Sequence, residues 1–217
     1  QWCALLARKV QGLALSDEQI ELLEQWLKVC MQTTLSLNPS HRSLGQWCLS
    51  ALERNTIWPE MGFTMSLAAS QVSALDALIS QHILPGQHRV PLVERRVQGM
   101  LVGFMDLVFE HDGRYFVMDY KSNRLTGYGT QQLQAAMLEH RYDLQLSLYL
   151  LALHRLLRSR LQGYDFDVHI GGAVYWFLRG VDQDGNGVCV HRPPRELIEA
   201  LDRLFGGQTP GLQEVSG

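Results

Sequence analysis

The sequence predicts a mixed α/β fold, a sheet flanked by helices, and three observations carry that prediction. Segments with apolar residues at helical spacing alternate with short runs rich in Val, Phe, Tyr and Met. Two of those runs are joined by Asp112-Gly113, the strongest short-range signal for a β-hairpin. The stretch 144–157 is apolar nearly all round, as suits a helix buried on more than one face. The 217 residues, 46% apolar and 19% charged, suffice for one sizeable core and exclude a disordered tail, a collagen or a coiled-coil rod.

The elements follow in order. Residues 1–55 form a helical leader, the remnant of a longer chain, in which Ser16 caps a helix with Asp17 and Glu18 in its first turn. Ile20, Leu22, Leu23, Trp26, Leu27 and Cys30 recur there at helical spacing, and a second short helix is predicted over 44–53, with a loop over 33–43 between them. The main domain, 56–217, opens with a strand over 57–67, with Pro59 near its start where a missing donor is tolerated. A helix over 70–83 and a loop over 84–91 lead to strands over 93–110 and 115–122. A long helix is predicted over 133–161 with a break near Tyr142, then a strand over 169–178. Pro193 and Pro194 introduce a closing helix over 195–205, and the tail after Gly206 is frayed.

Charge and motifs narrow the function classes. A formal charge of −3 argues against coating nucleic acid by charge alone, though an enzyme touching DNA at one local site remains compatible with it. No run of 18 apolar residues suggests a membrane helix. Cys3, Cys30, Cys48 and Cys189 contain no C-x-x-C pair and read as buried thiols of a reducing compartment. A phosphate loop G-x-x-x-x-G-K-[ST] is absent from the sequence, so no ATP site is expected. Asp182, Asp184, Asn186 and Gly187 match half of a calcium loop, but Pro193 stands where its last acid belongs, leaving a polar turn. His140, Arg141, Tyr142 and Asp143 read as an exposed helical cluster, and Arg155, Arg158 and Arg160 as a solvated helix face. Trp2, Trp26, Trp47, Trp58 and Trp176 show no regular spacing and read as core or interface.

The hairpin carries the chemistry. A two-residue turn at Asp112-Gly113 makes opposed residues sum to 225, so Asp106 faces Asp119 and Phe104 faces Lys121. Opposed Cβ atoms lie roughly 5 Å apart, and Asp119 and Lys121, two residues apart, share a face. Both strands are apolar on both parities, Val102, Phe104, Val108 and Val117 on one and Met105, Leu107, Phe109, Phe116 and Met118 on the other, and so read as interior. Two opposed carboxylates repel there unless a divalent cation turns the repulsion into coordination. A buried salt bridge between Lys121 and one Asp is the plain alternative.

With these residues in place, Asp106 followed by Asp119-Tyr120-Lys121 resembles the core of the PD-(D/E)XK nucleases. The stretches 103–123, 135–157 and 171–182 resemble more closely the RecB-type nuclease domains of exodeoxyribonuclease V. The resemblance implies a restriction-endonuclease-like core and Mg²⁺-dependent, or Mn²⁺-dependent, hydrolysis of DNA in a bacterial helicase–nuclease of double-strand-break repair and recombination. It implies metal ligation by Asp106, Asp119 and the backbone carbonyl of Tyr120, with Glu60 as a further acid and Lys121 as the catalytic lysine. Gln145 and Tyr149 match the family's Q-x-x-x-Y pattern, and i, i+4 spacing sets them on one helical face. Implied partners are single- and double-stranded DNA, RecC- and RecD-like subunits and the RecA recombinase, in the cytoplasm. The family also draws a metal-ligating His from an upstream Gly-x-x-x-His helix, a setting that none of the eight histidines occupies. On that reading the chain begins after this helix and its own activity depends on it. The competing reading is a disabled docking module for the partner subunits or the recombinase.

Overall fold

In the computed structural model, residues 15–34, 48–93, 96–182 and 187–206 are described. Helix α1 (Asp17–Gln32) starts at Ser16, whose hydroxyl accepts from the Gln19 amide while the Gln19 side chain accepts from the Ser16 amide. Over the described part of 44–53 there is only a 3₁₀ turn at Leu49–Ala51, not a helix; Leu52 and Glu53 are already extended. The loop over 33–43 lies outside the described residues beyond Thr34, as does the tail after Gly206.

Strand β1 (Ile57–Gln71) runs into helix α2 (Val72–His82). Strands β2 (Arg96–His111) and β3 (Arg114–Lys121) form the hairpin. Helices α3 (Thr130–Glu139) and α4 (Tyr142–Arg160) follow, broken at His140–Arg141 close to the expected place, with Arg141 in the left-handed region at φ 55°. A helical turn α5 (Phe166–His169), strand β4 (Ile170–Phe177), strand β5 (Val188–His191) and helix α6 (Arg195–Leu204) complete the chain. The sequence pattern missed β5, whose four half-buried residues are too few to display alternation.

The sheet order is β1-β2-β3-β4-β5, antiparallel except for the parallel β3–β4 pair. A parallel pair needs a crossover, and α3 and α4 supply it. Helices α2, α3, α4 and α6 cover one face around Ile79, Leu146, Leu150, Leu153 and Ile198. The other face packs Leu107, Phe109, Phe116, Met118, Val174 and Trp176 against Cys30 and Trp26 of α1 and Leu49. No helix among the described residues is long and apolar enough to cross a membrane.

One irregularity corrects the expectation that both hairpin strands are interior along their length. Val108 of β2 faces the α4 layer and so does Met105, three residues earlier. Strict alternation would put them on opposite faces, so β2 swaps faces between the two. Strand β1 does the same: Ile57 joins the α1 layer, Met61 and Phe63 the α4 layer. The paired register of β1 and β2 skips the facing positions Glu60 and Asp106, and Glu60 adopts φ 51°, the left-handed region. Beyond the swap, Met100, Val102 and Phe104 turn to the α1 side, where the strand outruns that layer, and they are 66, 62 and 56% exposed.

Candidate functional site

The turn at Asp112-Gly113 has both residues at positive φ, 51° and 75°, the signature of the hairpin turn that glycine favours. All five paired positions of β2 and β3, from His111–Arg114 to Leu107–Met118, sum to 225. There the ladder ends. Beyond it β2 stays paired with β1, and β3 stays paired with β4 as far as Lys121–Phe177. The two inner strands therefore part where the carboxylates sit, and Asp106 Oδ2 accepts the Tyr120 amide at 2.8 Å in place of a ladder carbonyl.

Asp119 and Lys121 have the parity of Val117 and face α4. Lys121 Nζ lies 2.6 Å from Asp119 Oδ2 and donates to Gln145 Oε1 at 2.8 Å. Gln145 Nε2 donates to Asp119 Oδ1 at 3.1 Å and to the Tyr149 hydroxyl at 2.9 Å. Four of the residues singled out by sequence are thus one hydrogen-bonded unit, with Asp106 joined to it through the Tyr120 amide. Glu60 is exposed and stands apart: among the described residues no three His, Cys, Asp or Glu side chains cluster, so Glu60 does not join Asp106 and Asp119 as a third acid. Its register position, opposite Asp106, still makes it the nearest acid of β1 by topology.

Both acid and base of the pair are buried, Asp119 at 5% and Lys121 at 9% exposure. Burial raises the Asp119 carboxyl above its ordinary pKa; the hydrogen bond and charge of Lys121 oppose this without cancelling it, and Asp106 adds to the rise. Burial, with the negative field of Asp119, pushes the Tyr149 phenol up to about 12, and burial with Asp106 does the same to Tyr120. These are neutral hydroxyls at working pH, able to donate hydrogen bonds.

The site fits a divalent cation on its donor chemistry and charge. The available ligands are oxygens, two carboxylates and one strand carbonyl, hard donors suited to Mg²⁺ or Mn²⁺. Mg²⁺ is commonly held by one or two carboxylates while keeping several waters. Burial penalises the charged form of Asp119 more than Lys121 relieves it, so added positive charge beside it is favoured.

A model of the PD-(D/E)XK nuclease superfamily matches residues 6–206. The chain belongs to the PD-(D/E)XK nuclease superfamily. Nucleases of this superfamily generally use divalent metal ions. The chain is 43% identical over 195 residues to the RecBCD enzyme subunit RecB of Escherichia coli, a match covering 87% of the chain and 16% of the relative. It is 36% identical over 203 residues to the subunit of the same name from Haemophilus influenzae, covering 90% of the chain and 16% of the relative. Against the one from Mycolicibacterium smegmatis it is 37% identical over 131 residues, covering 52% of the chain and 12% of the relative. The chain thus spans about a sixth of the length of the first two relatives.

Three residues around this hydrogen-bonded unit are not assigned to it by the sequence, which reads Tyr142 as part of an exposed cluster. Tyr142 lies three residues before Gln145, on the same helical face, and its ring sits under Lys121 with Nζ 3.9 Å from the centroid. Tyr175 is the register partner of Asp119, and its hydroxyl lies 3.2 Å from Gln145 Oε1. Asn123 accepts the Tyr142 hydroxyl at 3.0 Å. The helical period would have found Tyr142; Tyr175 needed the parallel register, which has no local signal.

Two expectations about α4 are corrected. Of His140–Asp143 only His140 is exposed: Arg141 and Asp143 are buried, Asp143 accepts from Arg89 Nε at 2.8 Å and from Arg141 Nε at 3.1 Å, and Arg141 also reaches Asp76 at 2.5 Å. Arg89 adds bonds to the carbonyls of Ile83 and Leu84, just past the end of α2. The cluster ties α2 to the start of α4. Nor does Arg155 lie on a solvated face; it is fully buried against Asp202 of α6, which Arg158 also contacts at 2.8 Å. Helix α4 is enclosed on several sides, so a charge on it must find a partner.

Proposed function

We propose that the chain is the nuclease domain of a helicase–nuclease and hydrolyses DNA phosphodiester bonds with a divalent metal, Mg²⁺ or Mn²⁺. The observation that carries the reading is the Asp119–Lys121–Gln145 unit beside Asp106 where β2 and β3 part. Asp106, Asp119 and the Tyr120 carbonyl would hold the cation, with Glu60 as the nearest further acid. When bound, the cation would supply Lewis acidity toward a phosphate oxygen and would lower the pKa of the attacking water. Lys121 orients that water and offsets charge developing on the phosphate. Gln145 fixes Lys121 and Asp119 together, and Tyr149 fixes Gln145, so the charged groups are placed before substrate arrives. No covalent intermediate with the protein is needed.

The similarity to RecB subunits supports the wider setting: an exodeoxyribonuclease V type enzyme of double-strand-break repair and recombination in the bacterial cytoplasm. Its substrates there are single- and double-stranded DNA, its partners RecC- and RecD-like subunits and the RecA recombinase. The domain boundary near residue 55 belongs to the same proposal.

The test is degradation of linear single-stranded DNA by the chain with Mg²⁺ or Mn²⁺, against Lys121→Ala. Cleavage that needs both metal and Lys121 is expected. Cleavage that survives loss of Lys121 refutes the assignment. A silent chain that binds the partner subunits favours the docking-module reading.

A further inference from the structure

Lys121 Nζ has two polar partners, Asp119 and Gln145, and both have other commitments. Asp119 is the carboxylate assigned to the cation, and Gln145 is shared between Lys121, Asp119 and Tyr149. Neither is dedicated to Lys121. The remaining neighbours are two tyrosine rings, Tyr142 with its centroid 3.9 Å from Nζ and Tyr175 at 5.2 Å. The rings stack on each other with centroids 5.5 Å apart and planes 16° apart. Tyr142 makes three further contacts, two through its side chain and one through its backbone carbonyl. Its hydroxyl donates to Asn123 Oδ1 at 3.0 Å, its carbonyl lies 3.0 Å from the Tyr175 hydroxyl, and His140 stacks on it at 5.3 Å. An ammonium within about 6 Å of a ring face is attracted by the ring quadrupole, most strongly where water is excluded.

We propose that Tyr142 is a positioning residue for Lys121: its ring, braced on Tyr175, holds the ammonium in place whether or not Asp119 is committed to a cation. The inference rests on the reading of Lys121 as the working lysine of the nuclease site. The ring has a property that Asp119 lacks. It attracts the ammonium without being a metal ligand, so coordination at Asp119 does not compete with it.

The sequence offers a direct probe. Of 19 basic Lys and Arg residues only Lys9, Lys28 and Lys121 are lysines. The chain labelled with ¹³C at the lysine ε-carbon therefore gives three methylene signals, and Lys121→Gln assigns the one that matters. The Lys121 signal is expected upfield of the other two in the proton dimension, shifted by the ring current. It should stay there in Tyr142→Phe and move most of the way to the ordinary position in Tyr142→Met, which fills similar volume without a ring and leaves only the more distant Tyr175 ring. In parallel, Tyr142→Met is expected to lower kcat for DNA cleavage by about tenfold at unchanged KM, and Tyr142→Phe to restore it.

A Lys121 signal at the ordinary position in the unmodified chain overturns the proposal without any variant having to fold. A ring-shifted signal with kcat unchanged in Tyr142→Met overturns the positioning role. If the unmodified chain cleaves no DNA with either cation, the nuclease reading fails for the chain, while the spectra still decide whether the rings hold Lys121.

Discussion

Two buried ion-pair clusters facing helix α4 answer the same electrostatic problem in opposite ways. In one, Asp202 is held between Arg155 and Arg158, and their hydrogen bonds and charges carry its carboxyl below the usual range in spite of burial. In the other, Asp119 has Lys121 at 2.6 Å, yet burial leaves its carboxyl above the usual range. The first carboxylate is more than compensated by its partners and the second is not. A carboxylate compensated in this way is a structural tie, here between α4 and α6. An under-compensated acid with a second acid nearby is where the proposed cation would find its charge opposed least. The contrast separates function from scaffold using groups of the same chemical type.

The comparison breaks most sharply on activity. Asp119→Ala and Lys121→Ala are each expected to reduce DNA cleavage by about a thousandfold or more, since on the proposed reading they remove a metal ligand and the positioned charge. Asp202→Asn should leave cleavage per folded molecule unchanged. Steady-state kinetics with Mg²⁺ on equal amounts of folded protein checks both. A large loss of kcat in Asp202→Asn would erase the distinction.

Stability should reverse the order. Asp202→Ala leaves Arg155 fully buried without its acid, and breaking a buried pair costs about 3–5 kcal/mol. Asp119→Asn in metal-free protein should leave unfolding free energy within roughly 0.5 kcal/mol of the parent or raise it, because the fold already disfavours the charged form. Urea unfolding of the two variants in a chelator reads the difference.

The acid side of the stability profile sharpens the same contrast. A carboxyl whose pKa is lowered by folding contributes stability above the ordinary value of 3.8 and loses it as the pH falls through the folded value, which is the case for Asp202. Asp119, raised by folding, gains relative stability as it protonates, so its contribution has the opposite sign. His154 adds an earlier step. Burial, reinforced by Arg158, lowers its pKa from 6.5 to about 4, so it is neutral in the fold and loses stability as pH falls from about 6.5 to about 4. In urea unfolding across this range, His154→Gln should flatten that interval and leave the region below it, where Asp202 titrates, unchanged.

How much of this could be read from the sequence depends on whether the controlling signal is local. The hairpin register was readable because two residues, Asp112 and Gly113, set it, and five observed pairs obey it. Gln145 and Tyr149 were readable because i, i+4 spacing is a property of one helix. The partners of charged residues on α4 were not. Arg155 meets an acid 47 positions away, and Asp143 meets Arg89 across 54. A signal was nonetheless present, since charges in a helix apolar on all sides must be paired, and it was passed over for Arg155. The face swap at Glu60 and Asp106 had no sequence signal at all. Strands apolar on both parities carry no record of which face is inward, so a slip of one residue leaves the pattern unchanged.

That last point yields the smallest expected effect and a clean test of the swap. Phe104 and Phe109 lie on one strand, five residues apart, and the apolar pattern alone marks both as interior. Phe109 is fully buried and stacks on Phe116 at 5.0 Å, whereas Phe104 is 56% exposed on the ribbon beyond the swap. Phe109→Ala should cost about 3–5 kcal/mol, the effect of a large core cavity. Phe104→Thr replaces an exposed ring with a residue that also favours strands and should change stability by no more than about 0.5 kcal/mol. A loss for Phe104→Thr comparable to that of Phe109→Ala would mean that β2 keeps one face inward along its whole length. In that case Asp106 would no longer sit at a change of face, and its bond to the Tyr120 amide would need another explanation.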